Sequence, residues 1–334
     1  MPRSRWLRPA ALAALACAFL GWPWVTGTPF ILNLLTGGVI WGLFALSYDL
    51  VLGWTGEISF GHALWFGSGV YATALFLQAT HVDTFLGIAI AAILLTPLSL
   101  VAHLLSLRLR GAYFAMITFA LAEFAHLLVE NATSVTGGTN GLTSVPLSAD
   151  ALAPGTLYVL SALCLLAGLA AVLLVRRSRA GSVVRAVRDN PTRAALFGYS
   201  EVWVKALTLV AASFLAAVAG GLFLAYQGMA FTGALDSGTS FTVLLMAVIG
   251  GADSAWGAAI AGILLYVLEN SLSATTSHWG IFLGAVYIAV VRFLPGGFGA
   301  LARRLRPGRR GRGKRQDAIL AAGQAAAEQG GPER

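Results

Sequence analysis

The chain alternates between long apolar blocks and short polar segments. Ten blocks stand out, at about residues 9–25, 30–52, 60–79, 85–107, 111–129, 152–175, 204–227, 241–249, 256–268 and 278–291. A helix needs roughly 20 apolar residues to cross the hydrocarbon core of a bilayer, so most blocks are long enough to span it. The block at 241–249 is much shorter. Counting it as a short crossing gives ten transmembrane helices, and eight helices with interfacial pieces is the alternative.

Composition agrees with an all-α polytopic membrane protein. Hydrophobic residues make up 57% of the 334 residues, charged residues only 11%, and the mean hydropathy is +0.78. A soluble domain has roughly a quarter of its residues charged, so this chain lacks the polar surface to cover a water-facing globule. We predict a transmembrane domain at 1–306. The basic, Ala- and Gly-rich tail at 307–334 buries too little apolar surface to fold, which predicts disorder.

The basic residues are clustered beside the apolar blocks. The formal net charge is +8, with arginines ahead of the first block, six between residues 176 and 193, and a further group from 292 to 315. Lys and Arg are retained on the cytoplasmic side of membrane proteins. The clusters therefore predict cytoplasmic N- and C-termini and a cytoplasmic loop at 176–203, and they argue against nucleic acid as a partner.

Several other classes of protein are disfavoured. The first block begins with basic residues like a signal peptide, but Trp22-Pro-Trp24 replaces a small-residue cleavage site, which favours a retained helix. Cys17 and Cys164 each lie inside an apolar block, so neither a disulfide framework nor a zinc site is indicated. The sequence contains no phosphate-binding loop of the form G-x-x-x-x-G-K-[ST], so transport driven by ATP requires another polypeptide to bind the nucleotide.

The cytoplasmic loop has strong local signals for two short helices. Val183, Val184 and Val187 form one apolar face, which predicts an amphipathic helix over about 182–189 with the neighbouring arginines exposed. Asn190 as N-cap and Pro191 at the first helical position start a second helix that ends near Gly198. This rigid corner predicts a docking element for a cytoplasmic motor. A helix lying on the lipid surface is the alternative.

Polar residues within or beside the spans are candidates for a translocation path. A charge at membrane depth costs at least ~2.5–3.5 kcal/mol, so it is expected to face protein or water. The candidates are Glu57, Ser59, Gly61, His62, Glu123, Gly250 and Gly251.

Several of these candidates also have a purely structural interpretation. Glu57 alternatively lies at the cytoplasmic interface, and Gly250-Gly251 marks either a broken helix at the midplane or close helix packing. Glu123 and His126 share a helix face and predict a buried hydrogen-bonded pair, not a metal site.

The stretch 135–142 predicts tight turns on the external side.

Three stretches of the chain resemble a known family, the LivM-type permease subunits of bacterial ABC importers for branched-chain amino acids. They are Gly56-Glu-Ile-Ser-Phe-Gly-His62 with Gly69-Val-Tyr-Ala72; Gly181 through Arg185-Ala-Val-Arg-Asp-Asn-Pro191 to Gly198-Tyr199; and Lys205 through Ala219-Gly-Gly221 to Val248-Ile-Gly-Gly-Ala-Asp253. Arg110-Gly-Ala-Tyr-Phe-Ala-Met116 and Thr136-Gly-Gly-Thr-Asn-Gly-Leu142 are similar to the family's equivalents. The resemblance covers about residues 31–298. Ser182 departs from the arginine that is usual in the family.

The resemblance implies an ABC importer permease of the branched-chain amino-acid/ribose class in the bacterial inner membrane. It implies a second permease subunit, two cytoplasmic ATPase subunits that hold ATP and Mg²⁺, and a periplasmic or lipid-anchored substrate-binding protein. The chain itself would bind no cofactor and would not be an enzyme. The implied ATPase-coupling residues are Gly181, Arg185, Ala186, Arg188, Asp189, Asn190, Pro191, Arg193 and Gly198.

The substrate stays open at this stage. Related permeases carry urea or short amides, and nothing in composition or spacing separates those solutes from leucine. An ion-coupled secondary transporter is the alternative class, with the carboxylates of Glu57, Glu123 and Glu269 as candidates for a proton relay. Uptake by this chain alone without ATP would favour that class.

Overall fold

A computed structural model describes residues 28–275, 278–293 and 297–299, together with Gly21. The predicted first span, apart from Gly21, and the basic tail at 307–334 lie outside the described residues. The helices are α1 (Pro29–Asp49), which continues as a π-helical extension (Leu50–Thr55), α2 (Ala63–Thr80), α3 (Thr84–Ser106), α4 (Ala112–Asn131), α5 (Thr133–Thr136), α6 (Ala149–Leu152), α7 (Pro154–Arg177), α8 (Arg179–Asp189), α9 (Pro191–Leu196), α10 (Glu201–Gln227), α11 (Ser237–Gly250), α12 (Ala255–Ser273) and α13 (Trp279–Phe293). Single 3₁₀ turns lie at Gly138–Asn140 and Thr232–Leu235.

The hydrophobic pattern correctly predicted nine of these helices. Each apolar block from residue 30 onwards coincides with one helix of the described part of the chain. Within that part, α1 with its extension, α3, α4, α7, α10 and α12 are long and apolar enough to cross a membrane. Helices α11 and α13 are apolar but shorter. The chain is therefore an all-helical polytopic membrane protein.

Small residues allow the central helices to approach closely. On α1, Gly38 faces Ile263 and Gly42 faces the carbonyl oxygen of Ala259, both on α12. On α10, Gly220 lies against the backbone of Phe66 in α2, where a Cβ would be 1.9 Å from a carbonyl oxygen. Glycines replace bulky side chains at these contacts because dispersion between close backbones drives helix association in lipid. The core is consequently built around α1, with α12, α10 and α7 against it and α2 and α3 against α10.

The two ends of the bundle differ in charge and in structure. Helices α8 and α9 lie at one end, beside the π-helical extension and the start of α10. We call this the arginine-rich end. The predicted tight turns at 135–142 are confirmed, as α5 followed by a 3₁₀ turn, at the opposite end. There Leu142 and Ala230 exchange two backbone hydrogen bonds of 2.8 and 3.0 Å, so this loop packs against the loop between α10 and α11.

Candidate coupling segment and translocation path

Helices α8 and α9 form at the predicted places. Ser178 caps α8 by accepting a hydrogen bond from the backbone N–H of Gly181 at 3.4 Å, which starts the helix three residues earlier than the valine pattern predicts. Gly181 is buried where a Cβ would lie 2.3 Å from the carbonyl oxygen of Val175. The end of α7 and the start of α8 are thus joined without room for a larger residue.

The corner between the two helices is a capped turn. The Asn190 side chain accepts a hydrogen bond from the backbone N–H of Arg193 at 2.9 Å, and Pro191 occupies the first position of α9. Gly198 follows with a φ of +83°, a left-handed conformation that favours glycine. The prediction of two helices joined at Asn190-Pro191 is confirmed. The cap, the proline and the glycine that shape this corner all lie between residues 190 and 198.

The expectation that Arg185 and Arg188 are exposed was wrong. Both side chains are half-buried. Arg185 donates to the carbonyl oxygen of Arg176 at 2.8 Å, and Arg188 donates to the carbonyl oxygen of Gly53 in the π-helical extension. Helix ends leave carbonyls without intrahelical donors, and a guanidinium has five N–H groups to supply them. These arginines therefore anchor the segment to α7 and α1.

Other residues form the outer surface of the segment. Ala186, Asp189 and Arg193 are exposed, and so are the apolar side chains of Leu196 and Phe197 at 84% and 81%. The two apolar side chains come at the end of α9, next to Gly198. Neighbouring exposed apolar side chains are typical of a surface that contacts another protein or the membrane surface.

Four of the path candidates lie on one non-helical stretch between the π-helical extension and α2, at residues 56–62. Tyr48 of α1 holds it: its hydroxyl donates to the carbonyl oxygen of Ser59 at 2.7 Å and accepts from the N–H of Ser59 at 3.2 Å. Gly61 lies against the backbone of Thr118 in α4. Non-helical backbone inside a membrane domain is tolerated where protein satisfies its polar groups, as Tyr48 does here.

Glu57 belongs to a chain of ion pairs at the arginine-rich end. Its carboxylate lies 2.6 Å from Lys205 Nζ, which is also 3.0 Å from Glu201. Glu201 in turn lies 2.8 Å from the Arg110 guanidinium. This position fits the interfacial alternative for Glu57, since the ion pairs join the loop before α2 to the starts of α10 and α4.

His62 is buried and contacts α1. Its Nε2 lies 2.9 Å from the hydroxyl oxygen of Ser47, whose own proton is donated to the carbonyl oxygen of Phe44. With the serine proton used in this way, Nε2 is assigned as the donor. The ring also stacks on Phe44 and meets Tyr48 edge-on. The described contacts of the His62 side chain with Phe44, Ser47 and Tyr48 are therefore packing and hydrogen-bond contacts to helix α1.

The predicted hydrogen-bonded pair of Glu123 and His126 was wrong. His126 Nε2 instead lies 3.5 Å from Glu130, one turn further along α4. The i, i+4 spacing brings two long side chains together as readily as i, i+3. Among the described residues, no group of three His, Cys, Asp or Glu side chains is placed to hold a metal ion.

Gly250 and Gly251 lie in the α11–α12 turn at the arginine-rich end. A Cβ on Gly250 would be 2.4 Å from the backbone of Ala258, and Gly251 has a φ of +93°. The pair matches the close-packing alternative, because the end of α11 packs directly on α12 and only residues 251–254 separate the two helices.

Sequence reasoning missed the contacts of this same turn. Asp49, at the end of α1, accepts hydrogen bonds from the backbone N–H groups of Asp253 at 2.9 Å and Ser254 at 3.3 Å. Arg176 donates to the carbonyl oxygen of Asp253 at 2.7 Å and to its carboxylate at 2.8 Å. Asp253, which closely follows Gly250-Gly251, was the one feature of the sequence that could have indicated these contacts. Its partners Arg176 and Asp49 lie 77 and 204 residues away along the chain, so no local pattern identifies them.

A small polar cavity lies beside the 56–62 stretch. Its volume is about 10 Å³, and its lining includes Ser59, His103, Ser106 and Thr118. A water molecule needs roughly 10–15 Å³ of such space, so the cavity has room for about one. The cavity itself is too small for a solute the size of an amino acid.

Comparison with known proteins identifies the family. A family model described as the permease component of the branched-chain amino acid transport system matches residues 30–291. The chain belongs to this family. The match includes the 56–62 stretch, the α8–α9 segment and the α11–α12 turn. The chain is therefore a transport subunit and not an enzyme.

Individual relatives within this permease family are distant. The high-affinity branched-chain amino acid transport system permease protein LivM of Escherichia coli K12 is 24% identical over 319 residues, covering 87% of this chain and 75% of that protein. LivH of the same strain is 30% identical over 292 residues, covering 79% of this chain and 92% of that protein. No solved structure matches the chain significantly.

Proposed function

We propose that this chain is the membrane permease subunit of an ATP-driven importer that carries branched-chain amino acids. Family membership and the names of the LivM and LivH relatives support this substrate class. The main structural support is the α8–α9 segment. Its corner is capped, two arginines anchor it to α7 and α1, and the side chains of Leu196 and Phe197 are exposed. A rigid element of this kind transmits force from a soluble partner to transmembrane helices.

The arrangement we propose has ten spans, with the arginine-rich end in the cytoplasm. Its spans are the predicted helix at 9–25 and the nine described helices that coincide with apolar blocks, including α2 and the shorter α11 and α13. Both termini are then cytoplasmic, in the bacterial inner membrane. The positive-inside rule supports this orientation, since arginines of α7, α8 and α9 all lie at one end.

The complex we propose contains a second permease subunit, two cytoplasmic ATPases that bind ATP and Mg²⁺, and a periplasmic or lipid-anchored binding protein. Similarity to both LivM and LivH supports a pair of related permeases. In this assembly, the ATPases dock on α8–α9. Residues 56–62, with Glu57, Ser59, Gly61 and His62, lie beside the path.

The test is a matched pair of polar substitutions in the complex reconstituted in proteoliposomes. We expect the double variant Leu196→Ser/Phe197→Ser to lose ATPase co-purification and ATP-dependent leucine uptake by about tenfold or more, because removing central apolar anchors from an interface costs about 2 kcal/mol or more. Leu152→Ser is the control, since Leu152 is also an exposed leucine but lies at the opposite end, on α6. Parental uptake by the double variant would contradict docking at α9.

Uptake measurements on the same preparation distinguish branched-chain amino acids from urea as the substrate, and an ATP-driven importer from an ion-coupled secondary transporter. Competition by isoleucine and valine but not by urea is expected for a branched-chain amino acid permease. Leucine uptake by this chain alone on a proton gradient, without ATPases, would instead identify an ion-coupled secondary transporter.

A further inference from the structure

The α8–α9 segment is connected to the α11–α12 turn by one route through α7. Arg185 of α8 donates to the carbonyl oxygen of Arg176 at 2.8 Å. Arg176 itself makes two hydrogen bonds to Asp253, one to its carbonyl oxygen at 2.7 Å and one to its carboxylate at 2.8 Å. Both side chains of this ion pair are about 30% exposed, so it is partly shielded from solvent. A displacement of α8 is therefore transmitted to Arg176, the residue that hydrogen-bonds Asp253 in the α11–α12 turn.

A second route reaches the same turn through α1. Arg188 of α8 donates to the carbonyl oxygen of Gly53 in the π-helical extension. Gly53 lies so close to the turn that a Cβ would be 2.5 Å from the backbone nitrogen of Asp253 and 2.5 Å from Asp49 Oδ1. Two contacts that leave α8 in different directions thus end on one residue, Asp253.

Asp49 braces this turn from inside the bundle. It is fully buried, and its Oδ1 accepts from the N–H groups of Asp253 and Ser254. Its other oxygen, Oδ2, is buried with no hydrogen-bond partner in the described part of the chain. A buried acceptor without a donor is costly. Asp49 therefore holds the turn through Oδ1 alone, and Oδ2 can still accept a hydrogen bond from a donor that comes close.

The backbone at this place is irregular on both sides of the contact. Asp253 has a φ of +66°, a left-handed conformation that is uncommon for residues other than glycine. The facing segment Leu50–Thr55 is π-helical, and π-helical turns occur often at functional sites. Such features persist only where surrounding contacts hold them, and here Arg176 and Asp49 do so.

We propose that Arg176 and Asp253 are positioning residues for energy coupling. Braced by Asp49, their contact joins the ATPase-docking segment to the α11–α12 turn. Movement of α8 and α9 then moves α11 and α12, and through α12 the central helix α1 against which it packs. This proposal rests on the proposed function, because it assumes that an ATPase moves α8–α9.

The test measures leucine imported per ATP hydrolysed by the complete complex in proteoliposomes. We expect Arg176→Gln and Asp253→Asn each to lower this ratio about tenfold, a factor that corresponds to about 1.4 kcal/mol. Membrane level, ATPase co-purification and ATP hydrolysis stay near parental values. The matched controls are Arg177→Gln and Asp150→Asn, because both residues are exposed and make none of these contacts. Both controls keep the parental ratio.

The double variant Arg176→Gln/Asp253→Asn distinguishes a shared contact from two separate effects. Residues that act through one contact are not additive, so the double variant should lose no more than either single variant. A parental ratio in Arg176→Gln, additive losses, or a fall in membrane level that matches the fall in transport would each overturn the proposal. Failure of the parental complex to import leucine with ATP would instead overturn the proposed function, so the two failures are distinguishable.

Discussion

Gly53 lies where a side chain has no room. Its Cα approaches both Asp49 and the backbone of Asp253, and the contact closes the bundle at the arginine-rich end. We predict that Gly53→Ala lowers stability by about 1–3 kcal/mol, the usual range for overpacking a filled interior. The measurement is the thermal unfolding midpoint of the detergent-solubilised chain.

Gly284→Ala is the control for this prediction. Gly284 lies within α13, and a Cβ built on it has nothing within 4 Å. The same added methyl should leave the midpoint unchanged or raise it slightly, because alanine favours a helix more than glycine does. Equal midpoints for the Gly53 and Gly284 variants would show that the crowding at Gly53 is relieved without cost.

Single histidines also join helices in the interior. His103 of α3 lies 2.8 Å from the hydroxyl of Ser213 in α10, whose proton goes to the carbonyl oxygen of Leu209. His62 makes the equivalent contact to Ser47 of α1. In both cases the ring nitrogen contacts a serine whose hydroxyl also bonds a carbonyl oxygen of its own helix. These histidines therefore help to fix the positions of the helices.

At the scale of the element, the α8–α9 corner depends on one capping side chain. We predict that Asn190→Ala destabilises the start of α9 by about 1 kcal/mol, because the N–H of Arg193 loses its acceptor. This is too little to unfold the bundle, but it loosens the surface that carries Leu196 and Phe197. Limited proteolysis should cut faster between α8 and α9, and permease-stimulated ATP hydrolysis should fall.

Asn190→Ser provides the matched comparison, since serine caps helices about as well as asparagine. It should restore parental proteolysis and hydrolysis. If alanine and serine variants behave alike, the cap does not maintain the corner.

At the scale of the whole molecule, the distribution of arginine predicts orientation. Arg193 on α9 and Asn140 in the loop after α4 are both exposed and lie at opposite ends of the described bundle. We predict that Arg193→Cys reacts with a membrane-impermeant maleimide only after the inner membrane is opened, whereas Asn140→Cys reacts in intact spheroplasts. The native Cys164 lies within α7 and Cys17 in an apolar block, and the parental chain measures their background labelling.

Reversed labelling would put α8–α9 outside the cell. An ATPase could not then reach them, and the proposed coupling function would be wrong. Labelling of both cysteines from one side would instead contradict the number of crossings between residues 140 and 193, where α7 is the long apolar helix.

The sequence determined those features whose physical cause is local. Blocks of about 20 apolar residues predict membrane helices because hydrocarbon accepts no unpaired backbone groups. The Asn190-Pro191 corner was predictable because a cap and its helix lie within three residues. The clustering of arginine is also a local signal, and from it the sequence predicts a cytoplasmic loop at 176–203 and cytoplasmic termini.

Only the tertiary structure decided which side chains meet across the bundle. Arg188 and Gly53 are 135 residues apart, Glu57 and Lys205 are 148 apart, and Asp49 and Asp253 are 204 apart. No local pattern encodes such pairs, because helix packing and not sequence spacing brings them together. For this reason the sequence predicted Arg185 and Arg188 at the surface, although they anchor the segment to α7 and α1. For the same reason the sequence did not predict the role of Asp253, on which contacts from α1 and α7 converge.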